Sequence, residues 1–263
     1  MSSTIIESMK EVYEYRRLLY SMVVRNLKGE YKSSYLGFAW HFITPAIMVI
    51  LFYVVFTALR GGVIENYWVY LCIGMFPFTF FQTNLGGGSN CVVSNAGTIK
   101  KMYFPREIIV LSRIISTFIT FLLAYVAVIA LMLLSGITIG LGAVIFLPAV
   151  MVLSIIFATG YVLLLSSITV FVRDVHHFLE AISRIFLWTT PIFYLASEVS
   201  GILETIIWSN PLTYFIESYH DILYLGVAPS MFQLGVCLIL AVVTLVAGAV
   251  VFNRLKGKFA EVL

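Results

Sequence analysis

Residues 108–134 read IIVLSRIISTFITFLLAYVAVIALMLL, an apolar run whose single charge, Arg113, stands close to its start. About 20 apolar residues let a helix cross roughly 30 Å of hydrocarbon, so this run reads as a membrane span. Four more stretches meet the same test: Tyr35–Leu59, Tyr67–Cys91, Leu141–Val172 and Met231–Phe252. A sixth, Ile185–Ala196, is short and passes through Pro191 into a region with Glu198, Glu204 and the pair Asn210–Pro211. It reads as a span followed by one or two short helices that dip back toward the membrane. Such segments survive at membrane depth only where protein or a water-filled cavity surrounds them. Composition points the same way. Of 263 residues, 61% are hydrophobic and 11% charged, with a mean hydropathy of +1.01, against roughly 45–50% apolar and about 25% charged in a soluble domain. One core of this size cannot bury so much apolar surface, and lipid must cover the rest.

The basic residues orient the spans, because loops rich in Lys and Arg stay on the cytoplasmic side. Lys10, Arg16, Arg17, Arg25, Lys28 and Lys32 precede the first span, and Lys100, Lys101, Arg106 and Arg113 are assigned to the connection between the second and third. Arg173 and Arg184 fall between the fourth and fifth, and Arg254, Lys256 and Lys258 follow the sixth. Fifteen of the 16 Lys and Arg thus share one side, with only Arg60 opposite. The connection after the fifth span holds Glu198, Glu204, Glu217 and Asp221 and no Lys or Arg. Six crossings with both ends in the cytoplasm is the simple parity that fits.

The expected fold is an all-α membrane protein with six transmembrane helices. A cytoplasmic segment over 1–34 carries an N-terminal amphipathic interface helix, the six-span domain covers 35–254, and a cytoplasmic tail covers 255–263. Short re-entrant or periplasmic helices lie between spans 5 and 6. In the first segment Ile5, Met9, Val12, Leu19, Val23 and Leu27 form one stripe, and Glu7, Lys10, Glu14, Arg17, Ser21, Arg25 and Lys28 a second. Two complementary stripes describe a helix lying in the membrane interface or packed on a partner. The first thirty residues carry charges throughout and show no small-residue cleavage site, so insertion is expected to use the spans themselves.

No catalytic constellation emerges. GxxxxGK[ST] is absent, so no P-loop for ATP is expected. His176, His177 and Glu180 are close in sequence, and such residues can bind metal; among Arg173, Asp174 and Arg184 they read better as a solvated, protein-docking face. The glycine run Gly86–Gly88 lies inside or at the end of a span, where close helix packing or a bend explains it better than phosphate binding. Cys72, Cys91 and Cys237 are far apart, without metal spacing, and read as small hydrophobes in helices. No Asp, Glu or His stands in the interior of the five strong spans, which disfavours an ion-coupled carrier. No bound metal, no cofactor and no nucleic-acid partner are expected. The spans are rich instead in aromatics. Rings near span ends suit interfacial belts, whereas Phe52, Tyr53, Phe56, Phe76, Phe80, Trp188, Phe193 and Tyr194 are candidates to line a pathway, since aromatic faces stack on sugar rings.

Three segments resemble a known family. Tyr35-Leu-Gly-Phe-Ala-Trp-His-Phe-Ile-Thr-Pro45 opens the first span, and Lys100-Lys-Met-Tyr-Phe-Pro-Arg-Glu107 sits in the second-to-third connection. Val172-Arg-Asp-Val175 leads to Thr190-Pro-Ile-Phe-Tyr194 and then Asn210-Pro-Leu-Thr-Tyr214. In order and topological place these are similar to the membrane subunits of ABC-2 type exporters, particularly those for O-antigen and other cell-surface polysaccharides. The sequence departs from that pattern at His220, where many relatives carry Arg, and at Val110, where a Pro often stands. The resemblance implies a homodimeric permease in the bacterial inner membrane, joined by two copies of an ABC ATPase that uses ATP and Mg. Membrane lipids surround it, and the cargo is a lipid-linked polysaccharide; teichoic acid, capsule or a small amphiphile is the rival cargo, and an ATP-independent channel or scramblase the rival mechanism. ATPase-coupling residues would be Lys100, Lys101, Tyr103, Phe104, Pro105, Arg106, Arg173, Asp174 and His177. Arg17, Arg25, Lys28 and Lys32 would meet the lipid diphosphate. Phe104, preceding Pro105, is biased away from helix while Pro105 can open the next one, which sets a corner there.

Overall fold

A computed structural model describes residues 5–29, 37–60, 64–137 and 140–263, and every regular element among them is helical. Helices α1 (Ile5–Glu14) and α2 (Arg16–Gly29) form an N-terminal arm, followed by α3 (Trp40–Arg60). Helix α4 (Tyr67–Thr83) passes through a π turn at Asn84–Gly88 into α5 (Cys91–Ser94) and α6 (Ala96–Lys101). Then come α7 (Glu107–Leu134), α8 (Leu141–Val144), α9 (Leu147–Phe171) and α10 (Asp174–Thr189). The chain closes with α11 (Ile202–Ser209), α12 (Pro211–His220), α13 (Met231–Leu255) and α14 (Phe259–Val262).

Four segments are long and apolar enough to cross a membrane: Trp40–Leu59, Glu107–Leu134, Gly142–Phe171 and Met231–Val262. They match the first, third, fourth and sixth expected spans, although Tyr35 and Leu36, where the first was expected to open, lie outside the described residues. The second expected span is shorter as a regular helix. α4 has 17 residues, about 25 Å at 1.5 Å per residue, before the π turn takes over. The fifth differs most. The expected helix Ile185–Ala196 is replaced by α10, which begins at Asp174 and stops at Thr189. Its first half carries the charges that had marked a connection. Its end follows from Pro191, which pushes the preceding Thr190 into extended backbone, at φ −92° and ψ 134°.

Two packing devices hold the bundle. The most extensive helix pair is α9 with α13, and it crosses on glycines. A Cβ on Gly160 would run into the backbone of Thr244 and Leu245, and one on Gly248 into the carbonyl of Gly160. Small residues let helix backbones approach closely where lipid offers no hydrophobic drive to pair them. The second device is an aromatic core shared by α4, α7, α9 and α12. Phe81 meets Phe215 at 5.5 Å between ring centroids, Phe157 meets Phe215 at 5.0 Å, and Tyr125 meets Tyr219 at 5.3 Å. Buried tyrosines need a partner for the hydroxyl, and each has one. Tyr125 donates to the Ile73 carbonyl, Tyr161 donates to that of Phe81, and Tyr219 pairs with Ser154.

The stretch after α10 folds back onto this core. Tyr67 and Tyr70 hydroxyls donate to the carbonyls of Phe193 and Tyr194, each at 2.8 Å. Asn210 caps α12 by accepting from Leu212 N, and its amide reaches Thr190 Oγ1 at 2.9 Å. α12 then runs antiparallel along α4: Leu212 shares a cavity with Phe78, and His220 lies against Tyr70. The chain leaves through a second π turn, Asp221–Leu225, and Gly226 (φ 68°). The N-terminal arm, expected at a membrane interface or on a partner, packs on this chain's own α7, burying Met22 and Val23. The three cysteines are free and helical, as expected.

Candidate functional site

The expected corner after α6 is present. Residues 102–105 leave the helix, Met102 being extended at φ −138° and ψ 140°. Phe104 and Pro105 are buried and root the corner, and Glu107 opens α7. Lys100, Lys101 and Tyr103 point outward, Tyr103 being 83% exposed. With Arg106 and Ala260 they border a groove of about 280 Å³. Beneath it sits the chain's own tail. Phe259 is fully buried, its ring 5.4 Å from Phe252 and 6.3 Å from Phe171, and the Arg106 guanidinium lies 5.9 Å over it. Lys256 Nζ is 2.5 Å from Glu107 Oε1 in a largely shielded pair. Removing one member of such a pair leaves a poorly compensated charge, so tail and corner are tied. Phe259 and Lys256 were missed from sequence; the available signal was a lone aromatic among the tail's charges.

Arg173, Asp174 and His177 are exposed at the start of α10, where Asp174 suits the positive end of the helix dipole. His176 turns inward: Nδ1 is 3.4 Å from Ser89 Oγ and Nε2 3.4 Å from Glu180 Oε1. Among the described residues, no three His, Cys, Asp or Glu side chains converge as metal ligands. The glycine run explains how α10 is seated. A Cβ on Gly87 would stand 2.8 Å from Arg113 Nη2, and one on Gly88 2.9 Å from Val162 Cγ2, while Gly86 faces the Glu180 side chain. Three helices thus press on one π turn, which is the close packing and bend expected of this run. Arg113 requires a correction: it lies two turns inside α7 rather than in the connection before it.

The basic arm divides. Arg17 and Lys28 are exposed. Arg25 donates to Asn95 Oδ1 at 2.8 Å, which ties the arm to the segment between α5 and α6. Lys32 lies outside the described residues.

The eight candidate aromatics also divide. Phe52, Phe56, Trp188 and Phe193 converge, with Phe52 and Phe193 at 4.0 Å and Trp188 and Phe193 at 5.7 Å between centroids. Trp188 is 58% exposed, and Tyr53, stacked on Tyr67, is 40% exposed. Tyr194 donates to the Trp188 carbonyl at 3.1 Å. Phe80 and Phe76 stand elsewhere. Phe80 is buried against Phe118 and Phe121, and Phe76 borders a separate cavity of about 50 Å³ with His41, Thr79 and Thr117. A larger apolar cavity of about 170 Å³ lies under α12, among Phe78, Phe81, Phe157 and Phe186.

Comparison with known proteins supplies the family. The model of the ABC-2 type transporter family matches residues 17–224. The chain belongs to the ABC-2 type transporter family. The match takes in everything from α2 to the second π turn, including the corner, the start of α10 and the aromatic cluster. The chain is similar to the O-antigen export system permease protein RfbA of Myxococcus xanthus, 28% identical over 262 residues, 98% of this chain and 99% of that protein. Two proteins of the same name from Klebsiella pneumoniae are each 29% identical over 246 residues, 94% of this chain and 95% of theirs. In this ABC-2 family chain the tail that supports the corner lies beyond the family match.

Proposed function

We propose that this ABC-2 family chain is the membrane half of an ATP-driven exporter that moves a polyprenyl-diphosphate-linked polysaccharide across the inner membrane. Two copies form the path, and two copies of a separate ATPase drive it from the cytoplasm. The observation that carries this reading is similarity along almost the whole chain to permeases named for O-antigen export. The geometry supports it at two places. The groove at Lys100, Lys101 and Tyr103 is basic and exposed, yet rooted by Phe104 and by the tail under it. A partner pressing there would move α7 directly through Glu107. The second place is the aromatic cluster, where Tyr53 and Trp188 offer open rings backed by buried Phe52 and Phe193. Rings of that kind stack on sugar faces and let a polymer slide.

Six crossings with cytoplasmic ends remain the topology of this proposal. The α4 rod forms the second crossing, α10 with the folded-back α12 forms the fifth, and α12 is re-entrant. Arg17 and Lys28 stand where an inner-leaflet diphosphate would meet them, Arg by paired hydrogen bonds and Lys as a point charge; Arg25 reaches it only by releasing Asn95. The test is made in cells. Loss of the chain is expected to trap lipid-linked glycan on the cytoplasmic face, and Tyr53→Ala with Trp188→Ala to cut surface glycan about tenfold at unchanged chain level. Normal surface glycan without the chain would overturn the function, and normal glycan with the double variant would overturn the aromatic path.

A further inference from the structure

The ATPase-coupling residues expected by resemblance fall in two segments far apart in sequence, 100–106 and 173–177. One buried side chain stands beside both. Phe259, the single aromatic of the tail, is fully buried. On one side the Arg106 guanidinium lies 5.9 Å from its ring centre, within cation–π reach. On another side its ring meets Phe171, the last residue of α9, at 6.3 Å, inside the range of aromatic pairs. Phe252, in the last turn of α13, closes a third side edge to face at 5.4 Å. Lys256 sets the tail's approach through its pair with Glu107, and Ala260 then borders the groove with Lys100, Lys101 and Tyr103.

Both segments run without a break into long helices. Ile108 N and Ile109 N donate to the carbonyls of Pro105 and Arg106, which hands the corner on to α7. Val172 N donates to Ile168, and Val175 N and His176 N donate to Val172 and Arg173, which joins α9 to α10. The end of α9 is lightly covered, Phe171 being 39% and Val172 51% exposed, and the ring of Phe259 is part of what covers it. Truncating that ring would leave a cavity shared by the ends of three helices, and such a cavity closes only if those ends move.

We propose that Phe259 is a positioning residue that joins the corner and the start of α10 into one platform, so that a push on either segment moves α7, α9 and α13 together. Burial of one ring among Arg106, Phe171 and Phe252 is the observation that carries this. Phe259 lies outside residues 17–224, the span of the family match. That the push comes from an ATPase rests on the proposed function; the mechanical joint between the two segments does not.

The test uses the purified full chain in lipid nanodiscs and follows hydrogen exchange in the wild type, Phe259→Ala and Phe259→Leu. The hydrogen-bonded amides of Met102, Ile108 and Ile109 report one segment, and those of Val172, Val175 and His176 the other. In Phe259→Ala both groups are expected to exchange at least about tenfold faster and by similar factors, while the second half of α7, from Phe121 on, keeps its wild-type rate. Phe259→Leu, which keeps most of the apolar bulk, should stay within about threefold of the wild type. Acceleration of one group alone, of neither, or of the whole chain would overturn the joint. Should Phe259→Ala not accumulate, the wild type decides: the two groups should share one opening constant within about threefold, and a larger difference would overturn the joint. In liposomes with the ATPase subunit and lipid-linked glycan, Phe259→Ala should still bind the ATPase but move about fivefold less glycan per ATP hydrolysed. A smaller amount of folded chain leaves that ratio unchanged, so an unchanged ratio would overturn the positioning role. If the wild type binds no ATPase, the exporter reading fails, while the exchange result still decides the joint.

Discussion

Gly160→Leu is expected to leave little folded chain in the membrane. The backbones of α9 and α13 touch at Gly160 and Gly248, and the place of a Cβ on Gly160 is already held by the backbone of Thr244 and Leu245. Backbone cannot step aside as a side chain can, so the helices must separate toward the 8–10 Å typical of ordinary helix pairs. That separation costs more than the local clash. α13 has few other contacts, and its buried Gly248 sits in this crossing. Overpacking a tight core costs about 1–3 kcal/mol, and losing the surrounding contacts adds to it. A drop of about 10 °C in the unfolding midpoint, or loss of the chain from membranes, is the expected reading. Gly235→Leu is the control: nothing lies within 4 Å of a Cβ there, and its midpoint should stay near the wild type. Gly248→Leu should resemble Gly160→Leu, and the double variant should cost little more than either single one, because both remove the same crossing. If Gly160→Leu is as stable as Gly235→Leu, the crossing does not hold the bundle.

Reversing the charge of the corner should act on function without acting on the fold. In Lys100→Glu, Lys101→Glu and Tyr103→Ala combined, every altered side chain is exposed, so the midpoint should move by less than about 2 °C. On the proposed docking, an ATPase would meet like charge there in place of attraction and lose an aromatic anchor, the residue type that most often dominates binding. Affinity between chain and ATPase should fall at least about 100-fold, and export with it. Phe104→Ala should do the reverse, destabilising the chain by about 3–5 kcal/mol because Phe104 is 5% exposed. Undiminished ATPase binding in the triple variant would remove the corner from the docking surface.

The sequence made some of this legible and hid the rest for identifiable reasons. The long helices α3, α7, α9 and α13 could be read because lipid requires uninterrupted apolar runs. The start of α10 could not. Asp174, His176, His177, Glu180 and Arg184 give it the charge density of a loop, although Leu179 and Ser183 on the same helix are buried. The corner at Phe104–Pro105 was legible because pre-proline sterics act locally. The Gly160–Gly248 crossing was not, since no spacing rule tells which residue of a distant helix will face a glycine. Long-range partners of the site residues were hidden for the same reason. The sequence does not show that Asn95 stands opposite Arg25, nor that Phe118 and Phe121 pack on Phe80. His220 stood out in sequence only as a departure from relatives; its burial against Tyr70 and Glu217 depends on α12 folding back along α4.

Reconstitution tests the central claim most directly. The purified chain is placed in liposomes with lipid-linked glycan, with or without the ATPase subunit, and the glycan that reaches the opposite face is measured. The expected result is transfer only when chain, ATPase and ATP with Mg are all present, and none when the ATPase is omitted. Transfer by the chain alone, unaffected by ATP, would contradict the account and make the protein a channel or scramblase.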